Sequence, residues 1–320
     1  MNALIDPQAH AEAFTTYLTQ FKKHSYVLPR YAGLEAGFNS VLAQLVSSRM
    51  ADVHFEGRGL VLTAGTRSGK THDLKELLKS FSDDPSELGG GFERKSVRVS
   101  LRATTSWKHL GSALLKATGY FSDLDHRSAD LIWRRTESQL MRKGVFVVHV
   151  DEAQHLFYEK KSEQIKTILA GLKDLMKRAD WPVLLILSGV PTLLEFLNGS
   201  DELVALLEPI SYEDIAYNSE SLEEVDAILC AFAEVAEIDV STLRNEEVYN
   251  RMIHATARRW GRLIELVIQS LAYAKASGKG ELSNADLADT FRRWTGAADG
   301  ANVFLVENPY RIKAHILFPS

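Results

Sequence analysis

A single cysteine, Cys230, in 320 residues leaves the chain no internal disulfide to form, which fits a reducing compartment. Its neighbours in sequence are apolar, so it is expected to pack in a core. Nowhere do the roughly 18 consecutive apolar residues of a membrane-spanning helix occur. The first residues carry acid early and lack a basic cluster, so no secretory leader is read there. A cytoplasmic protein with no membrane partner is the expectation. Positive charge is not in surplus either: Lys and Arg total 37 against 42 Asp and Glu, a formal net charge of -5. Such a chain has no global attraction for nucleic acid, and any contact of that kind must come from a local patch. Internal repeats and low-complexity segments are absent. What is present is ordinary for a globular protein, 45% hydrophobic and 25% charged residues. Cores tend to split beyond roughly 250 residues, so this length predicts two lobes.

Hydrophobic patterning divides the chain into four parts. Residues 1–40 read as an amphipathic helical arm, with Phe14, Tyr17, Leu18 and Phe21 on one face and a break at Pro29. Residues 41–215 alternate apolar strands with helices. Strands are expected at Leu60–Thr63, Val97–Leu101, Val145–Val150 and Pro182–Leu187, and Pro85–Gly91, with three consecutive glycines, reads as a loop. Near-continuous apolar strands separated by helices predict an α/β fold built on a doubly wound parallel sheet, with ligands beyond the carboxyl ends of the strands. Residues 216–300 carry only helical signals, beginning with a capping box at Ser221 and Glu224, and predict a smaller all-helical lobe. Residues 301–320 form a tail too apolar for idle coil. It is expected to be extended and to dock either on the helical lobe or on a partner.

Two motifs within the α/β part carry chemistry. Ala64, Gly65, Thr66, Arg67, Ser68, Gly69, Lys70 and Thr71 match the Walker A pattern, with alanine in place of its first glycine. Such a loop points backbone N–H groups at phosphates, its lysine reaches the β and γ phosphates of ATP, and its hydroxyl binds Mg2+. Asp151 and Glu152 follow the apolar run Val145–Val150 as a Walker B element. Asp151 is the expected Mg2+ holder beside Thr71, and Glu152 the residue that polarises the attacking water. Adjacent acids after a strand can also merely cap the next helix.

The run Asp151-Glu152-Ala153-Gln154-His155-Leu156 resembles one branch of the AAA+ ATPases, the TniB/TnsC-like transposition regulators, and ExeA-type secretion ATPases share much of it. Ser48-Arg49-Met50 and Ser188-Gly189-Val190-Pro191 extend the resemblance over roughly residues 40–215. It implies a P-loop AAA+ core with a helical lid, ATP hydrolysis and assembly as a ring or helical filament. It also implies a transposase, with or without a target selector, as partner. Ser188 then matches sensor 1, a polar residue on the γ-phosphate or its water, although a serine ending a strand reads equally well. Arg262, with Arg259 in reserve, matches sensor 2. No basic residue lies in Glu202–Ile210, where many relatives place an arginine finger, so turnover is expected to be slow unless a neighbouring subunit supplies one.

Between Arg94 and Lys116 there are six basic residues and no acid: Arg94, Lys95, Arg98, Arg102, Lys108 and Lys116. Arg98, Arg102, Thr104 and Lys108 are the expected contacts to the backbone of double-stranded DNA without base reading. The other reading is a solvated face balanced by acids elsewhere. The leading expectation is an ATP-dependent DNA-binding regulator that recruits or activates a transposase. The alternatives are a nucleotide-gated scaffold with weak ATPase activity in a defence or signalling assembly, and an ExeA-like secretion ATPase.

Overall fold

The computed structural model describes residues 7–55, 57–86, 88–89, 93–121 and 126–313. Its described residues fall into two compact units. One comprises Leu28–Gly65 and Lys70–Glu213; the other lies within Met1–Val27, Thr66–Gly69 and Asp214–Ser320.

The first unit is built on five parallel strands in the order β2-β3-β4-β1-β5. They are β1 (Gly59–Ala64), β2 (Ser96–Ser100), β3 (Val147–Asp151), β4 (Leu184–Gly189) and β5 (Leu207–Tyr212). The three inner strands are buried throughout, which is why their sequences run apolar rather than alternating. The edge strands are not, and β5 accommodates Pro209 because an edge can forgo a ladder hydrogen bond. Helices α2 (Tyr31–Met50) and α3 (Lys70–Asp83) supply Leu34, Phe38, Leu74 and Leu77 to one apolar layer. On the other sheet face, α4 (Trp107–Ala117), α5 (Ala129–Lys143) and α6 (Ser162–Met176) bury Leu110, Leu114, Leu140, Ile168 and Leu172, and the short helices α7 (Thr192–Leu197) and α8 (Asp201–Val204) add Leu197 and Leu203. This is the expected doubly wound parallel sheet. Its order makes β1, β4 and β3 neighbours, so the carboxyl ends that carry the Walker A loop, Ser188 and Asp151 are adjacent.

The second unit is helical: α1 (Pro7–Lys23), α9 (Ser219–Ala236), α10 (Glu246–Ala255), α11 (Trp260–Ala276) and α12 (Asn284–Thr295). Phe14 of α1 stacks on Tyr273 of α11, with ring centroids 4.0 Å apart. The arm division expected at residue 40 falls inside α2, and the two helices flanking Pro29 go to different units, α1 with the helical one and α2 with the sheet. α9 is capped by Asn218, whose side chain accepts from the Ser221 N–H, and not by the expected Ser221, because Asn218 holds the extended backbone a cap requires. Cys230, expected in a core, is only half-buried and lies 3.8 Å from Asp226.

The first part of the tail packs on this helical unit rather than extending. Val303 and Phe304 are buried, Arg251 donates to the carbonyls of Val303 and Val306, and Asn284 donates to that of Phe304. Pro309–Arg311 form a short 3-10 turn. Ile316, Leu317 and Phe318 of the tail, and Glu87, Gly90 and Gly91 of the expected glycine loop, lie outside the described residues.

Candidate functional site

The sheet unit brings the four residues expected to perform the chemistry into one place. Lys70 and Thr71 open α3 directly after the loop from β1, so a helix N-terminus with its outward N–H groups faces this end of the sheet. Asp151 closes β3, and Glu152 follows it in the left-handed backbone region, φ 54° and ψ 43°. A non-glycine residue held there turns its side chain out of the strand direction, and such positions cluster at functional sites. The Thr71 hydroxyl lies 3.1 Å from Asp151 Oδ2.

Lys70, expected to reach for phosphate, is buried, and its Nζ lies 3.2 Å from Glu152 Oε1. An ammonium taken out of water needs a counter-charge, and Glu152, still 31% exposed, is the acid within reach. Glu152 Oε2 accepts in turn from Gln154 Nε2 at 2.6 Å. Gln154 is itself buried and packs against Gly189, where any Cβ would collide with its carboxamide oxygen. Gln154 is a site residue that the sequence reading used only as part of a motif; the signal was its place two residues after Glu152.

Asp151 is almost fully enclosed and accepts four hydrogen bonds. Ser188 Oγ donates to Oδ1 at 2.7 Å and the Glu152 N–H at 3.1 Å, while Oδ2 takes Thr71 and Arg98 Nη2, the latter at 2.5 Å. Burial raises this carboxyl, but the Ser188 hydroxyl, then His149 and Arg98, outweigh it and hold the group below the usual carboxylate range. Ser188, expected on a γ-phosphate, therefore has its proton committed to Asp151. Having donated there, it must accept from His149 Nε2 at 2.8 Å, which assigns the imidazole hydrogen to Nε2. Nδ1 of His149 is buried with no hydrogen-bond partner among the described residues.

Burial drives the His149 imidazole down to about 4, against Asp151, which raises it, so the ring is neutral at pH 7. The unfolded chain takes up this proton near the ordinary value of about 6.5, and the folded chain does not until about 4. The stability this group contributes is thus complete above pH 6.5 and is lost as pH falls toward 4. Chemical denaturation of the metal-free chain across that window should show a shallower loss in His149→Gln, which keeps a donor for Ser188. Equal slopes in the two chains would remove His149 as the cause.

Within the helical unit, Thr66–Gly69 of the Walker A loop meet the start of α11. Arg67 and Gly69 both take positive φ, 59° and 103°. Gly261 lies so close to this turn that a Cβ there would stand 2.5 Å from the Arg67 carbonyl oxygen and 3.1 Å from the Gly69 nitrogen. Arg67 Nη1 pairs with Glu265 at 3.2 Å, and Arg259 pairs with Asp214. Arg262 is buried, and its guanidinium is lowered from its ordinary value first by burial and then by Arg67 and Arg259. Three guanidiniums thus lie near one another, and Glu265 and Asp214 pair with two of them. Arg262 and its reserve Arg259 both belong to this cluster.

The basic stretch is less free in space than in sequence. Arg94 pairs with Asp84 at 3.0 Å, Lys95 pairs with Glu93, and Thr104 donates to Glu159 at 3.1 Å. Arg98, expected to contact DNA, points to Asp151 because β2 lies beside β3 with Arg98 opposite His149. Arg102 is exposed just beyond β2, and Lys108 is half-buried in the first turn of α4.

The site can receive the groups its motif implies. Among the described residues no three His, Cys, Asp or Glu side chains cluster to hold a metal unaided. The Thr71 and Asp151 oxygens instead suit Mg2+, which takes one or two protein oxygens and completes its shell with phosphate and water. The buried Lys70 beside a helix N-terminus suits the phosphates.

Residues 53–197 match the family model described as AAA domain. No curated protein matches the chain. Among solved structures, Cdc6p from Pyrobaculum aerophilum is similar at 15% identity, with 83% of this chain and 67% of that one covered and a TM-score of 0.59. The ORC2 protein of Aeropyrum pernix, solved in ADPNP and ADP complexes, gives 15%, 86%, 71% and 0.59. The ORC1 protein of the same organism, solved with DNA, gives 16%, 80%, 65% and 0.56. At these identities the likeness is one of fold, and with the sheet order it makes this a P-loop AAA+ fold. No helix among the described residues is long and apolar enough to cross a membrane.

Proposed function

We propose, from the premise of an AAA domain on a P-loop AAA+ fold, that this chain is an ATPase that binds duplex DNA under nucleotide control and regulates transposition. The observation that carries the ATPase reading is the meeting of Lys70, Thr71, Asp151 and Glu152 at one end of the sheet. ATP would lie on the Walker A loop with Lys70 at its outer phosphates. Thr71 and Asp151 would hold Mg2+, which supplies charge neutralisation for the transferred phosphoryl group. Glu152, released from Lys70, would accept a hydrogen bond from the attacking water and polarise it. Ser188 would act by orienting Asp151, and Arg262 by adding positive charge near Thr66–Gly69 of the loop in its own unit.

Binding of DNA rests on Arg102, exposed just beyond β2, and Lys108 in the first turn of α4, while Arg98 is engaged with Asp151 and Thr104 with Glu159. The Aeropyrum pernix ORC1 protein, similar in fold, was solved in complex with DNA, which supports this reading. Partnership with a transposase rests on the resemblance around Asp151–Leu156. Assembly as a ring or helical filament by heterologous contacts would follow the same resemblance. A nucleotide-gated scaffold with weak turnover is the second reading, favoured by the lack of a basic residue in Glu202–Ile210.

Replacing Arg102 and Lys108 together with alanine should weaken every duplex about equally, by about tenfold at moderate salt, and lower the salt slope by about two. Fluorescence anisotropy with ATP, several salt concentrations and scrambled sequences measures this. Unchanged affinity and slope in the double variant would take both residues out of the interface, and no ATP-dependent DNA retention in the wild type would leave the scaffold reading.

A further inference from the structure

We infer that Arg98 is a resident counter-ion of Asp151 that competes with the divalent metal and so sets how tightly the site takes it. The inference deepens the proposed ATP and Mg2+ reading and rests on it.

A carboxylate offers about four lone-pair directions, and all four of Asp151 are taken, by Ser188, the Glu152 N–H, Thr71 and Arg98. A metal, or a metal-bound water that must donate to this carboxylate, can enter only where one donor leaves. Two of the four are poorly placed to leave. The Glu152 N–H is backbone, and Ser188 is fully buried and held from behind by His149. Thr71 turns the other way in usefulness, since its hydroxyl oxygen is itself a candidate ligand.

Arg98 differs in each respect. It sits on the edge strand β2, its side chain is 28% exposed against 3% for Asp151, and its long stem lets the head group swing without moving the backbone. Its Nε is buried with no hydrogen-bond partner among the described residues, so the present pose leaves one donor unsatisfied. Its charge matters most. A guanidinium 2.5 Å from the acid and a divalent cation on the same acid repel each other in a site largely withdrawn from water. Arg98 therefore neutralises Asp151 before the metal comes and opposes the metal when it does. Lys70 on Glu152 is the parallel pair, so both acids of the site carry a resident cation.

The test is Mn2+ binding to the full chain saturated with ADP, read from the electron paramagnetic resonance signal of free Mn2+. Arg98→Gln and Arg98→Met should each bind Mn2+ about tenfold more tightly than the wild type, the size of effect one nearby charge exerts. Arg98→Lys should stay close to wild type, and ADP affinity in EDTA should be the same in all four chains. Mn2+ affinity unchanged or weakened in both Arg98→Gln and Arg98→Met would overturn the inference and make Arg98 a support for Asp151. No Mn2+ binding in any chain would overturn both the inference and the metal reading beneath it.

Discussion

Glu152→Gln should hydrolyse ATP at about one-hundredth of the wild-type rate or less, the scale on which a positioned base contributes, while binding ATP more tightly than the wild type. The rate follows from charge: glutamine keeps the size and one acceptor of Glu152 but not the negative charge that polarises water toward phosphorus. The affinity follows from the ion pair. Lys70 and Glu152 lie 3.2 Å apart, so a phosphate that engages the lysine has to take it from its acid. Glutamine holds that ammonium less strongly, and an exchange that costs the phosphates less should raise ATP affinity several-fold, given about 1.5–3 kcal/mol for a charge-assisted contact. Gln154 remains beside the new carboxamide and keeps it in place. Phosphate release and equilibrium nucleotide binding measure the two effects separately. Unchanged turnover would remove Glu152 from the chemistry. Slow turnover with weakened ATP binding would instead show that the Lys70–Glu152 pair helps preorganise the site.

Lys70→Ala should lose about 100-fold in ATP affinity, since the variant gives up a charge-assisted contact to phosphate made in a place with little water. It should also lose stability. The ammonium is 5% exposed and its removal leaves Glu152 with Gln154 as its remaining partner, but Glu152 is 31% exposed and can be solvated. The loss therefore belongs near 1 kcal/mol rather than in the 3–5 kcal/mol range of a fully buried broken pair. Nucleotide titration together with a denaturation midpoint distinguishes these contributions. Wild-type ATP affinity in a folded Lys70→Ala chain would sink the assignment of the phosphate site. Lys70→Met, which keeps the stem packing, serves as the control if the alanine chain is too unstable.

The α/β core could be read from the chain because each of its signals is local. Val147–Asp151 and Leu184–Gly189 are apolar through their length since both faces of an inner strand are buried. Walker A needs consecutive residues, for backbone N–H groups converge only when they are neighbours in a turn. The acids after β3 were legible for the same reason. What was misread depended on residues far apart in sequence. Six cations without an acid between them read first as a contact to DNA, yet Asp84 and Asp151 lie against Arg94 and Arg98. A charge run reports only its own side chains, while ion pairing is decided by whatever strand or loop arrives beside it.

The sequence by itself determined the parallel sheet, the helical lobe and the residues at the carboxyl ends of the strands, because periodicity and turn chemistry act over a few residues. Only the tertiary structure decided what those residues hold. The strand order β2-β3-β4-β1-β5 sets Arg98 and Ser188 on either side of Asp151, and the loop after β3 delivers Glu152 to Lys70. The physical reason is burial: an enclosed charge must find its partner within hydrogen-bonding distance, and that partner is chosen by packing rather than by position in the chain.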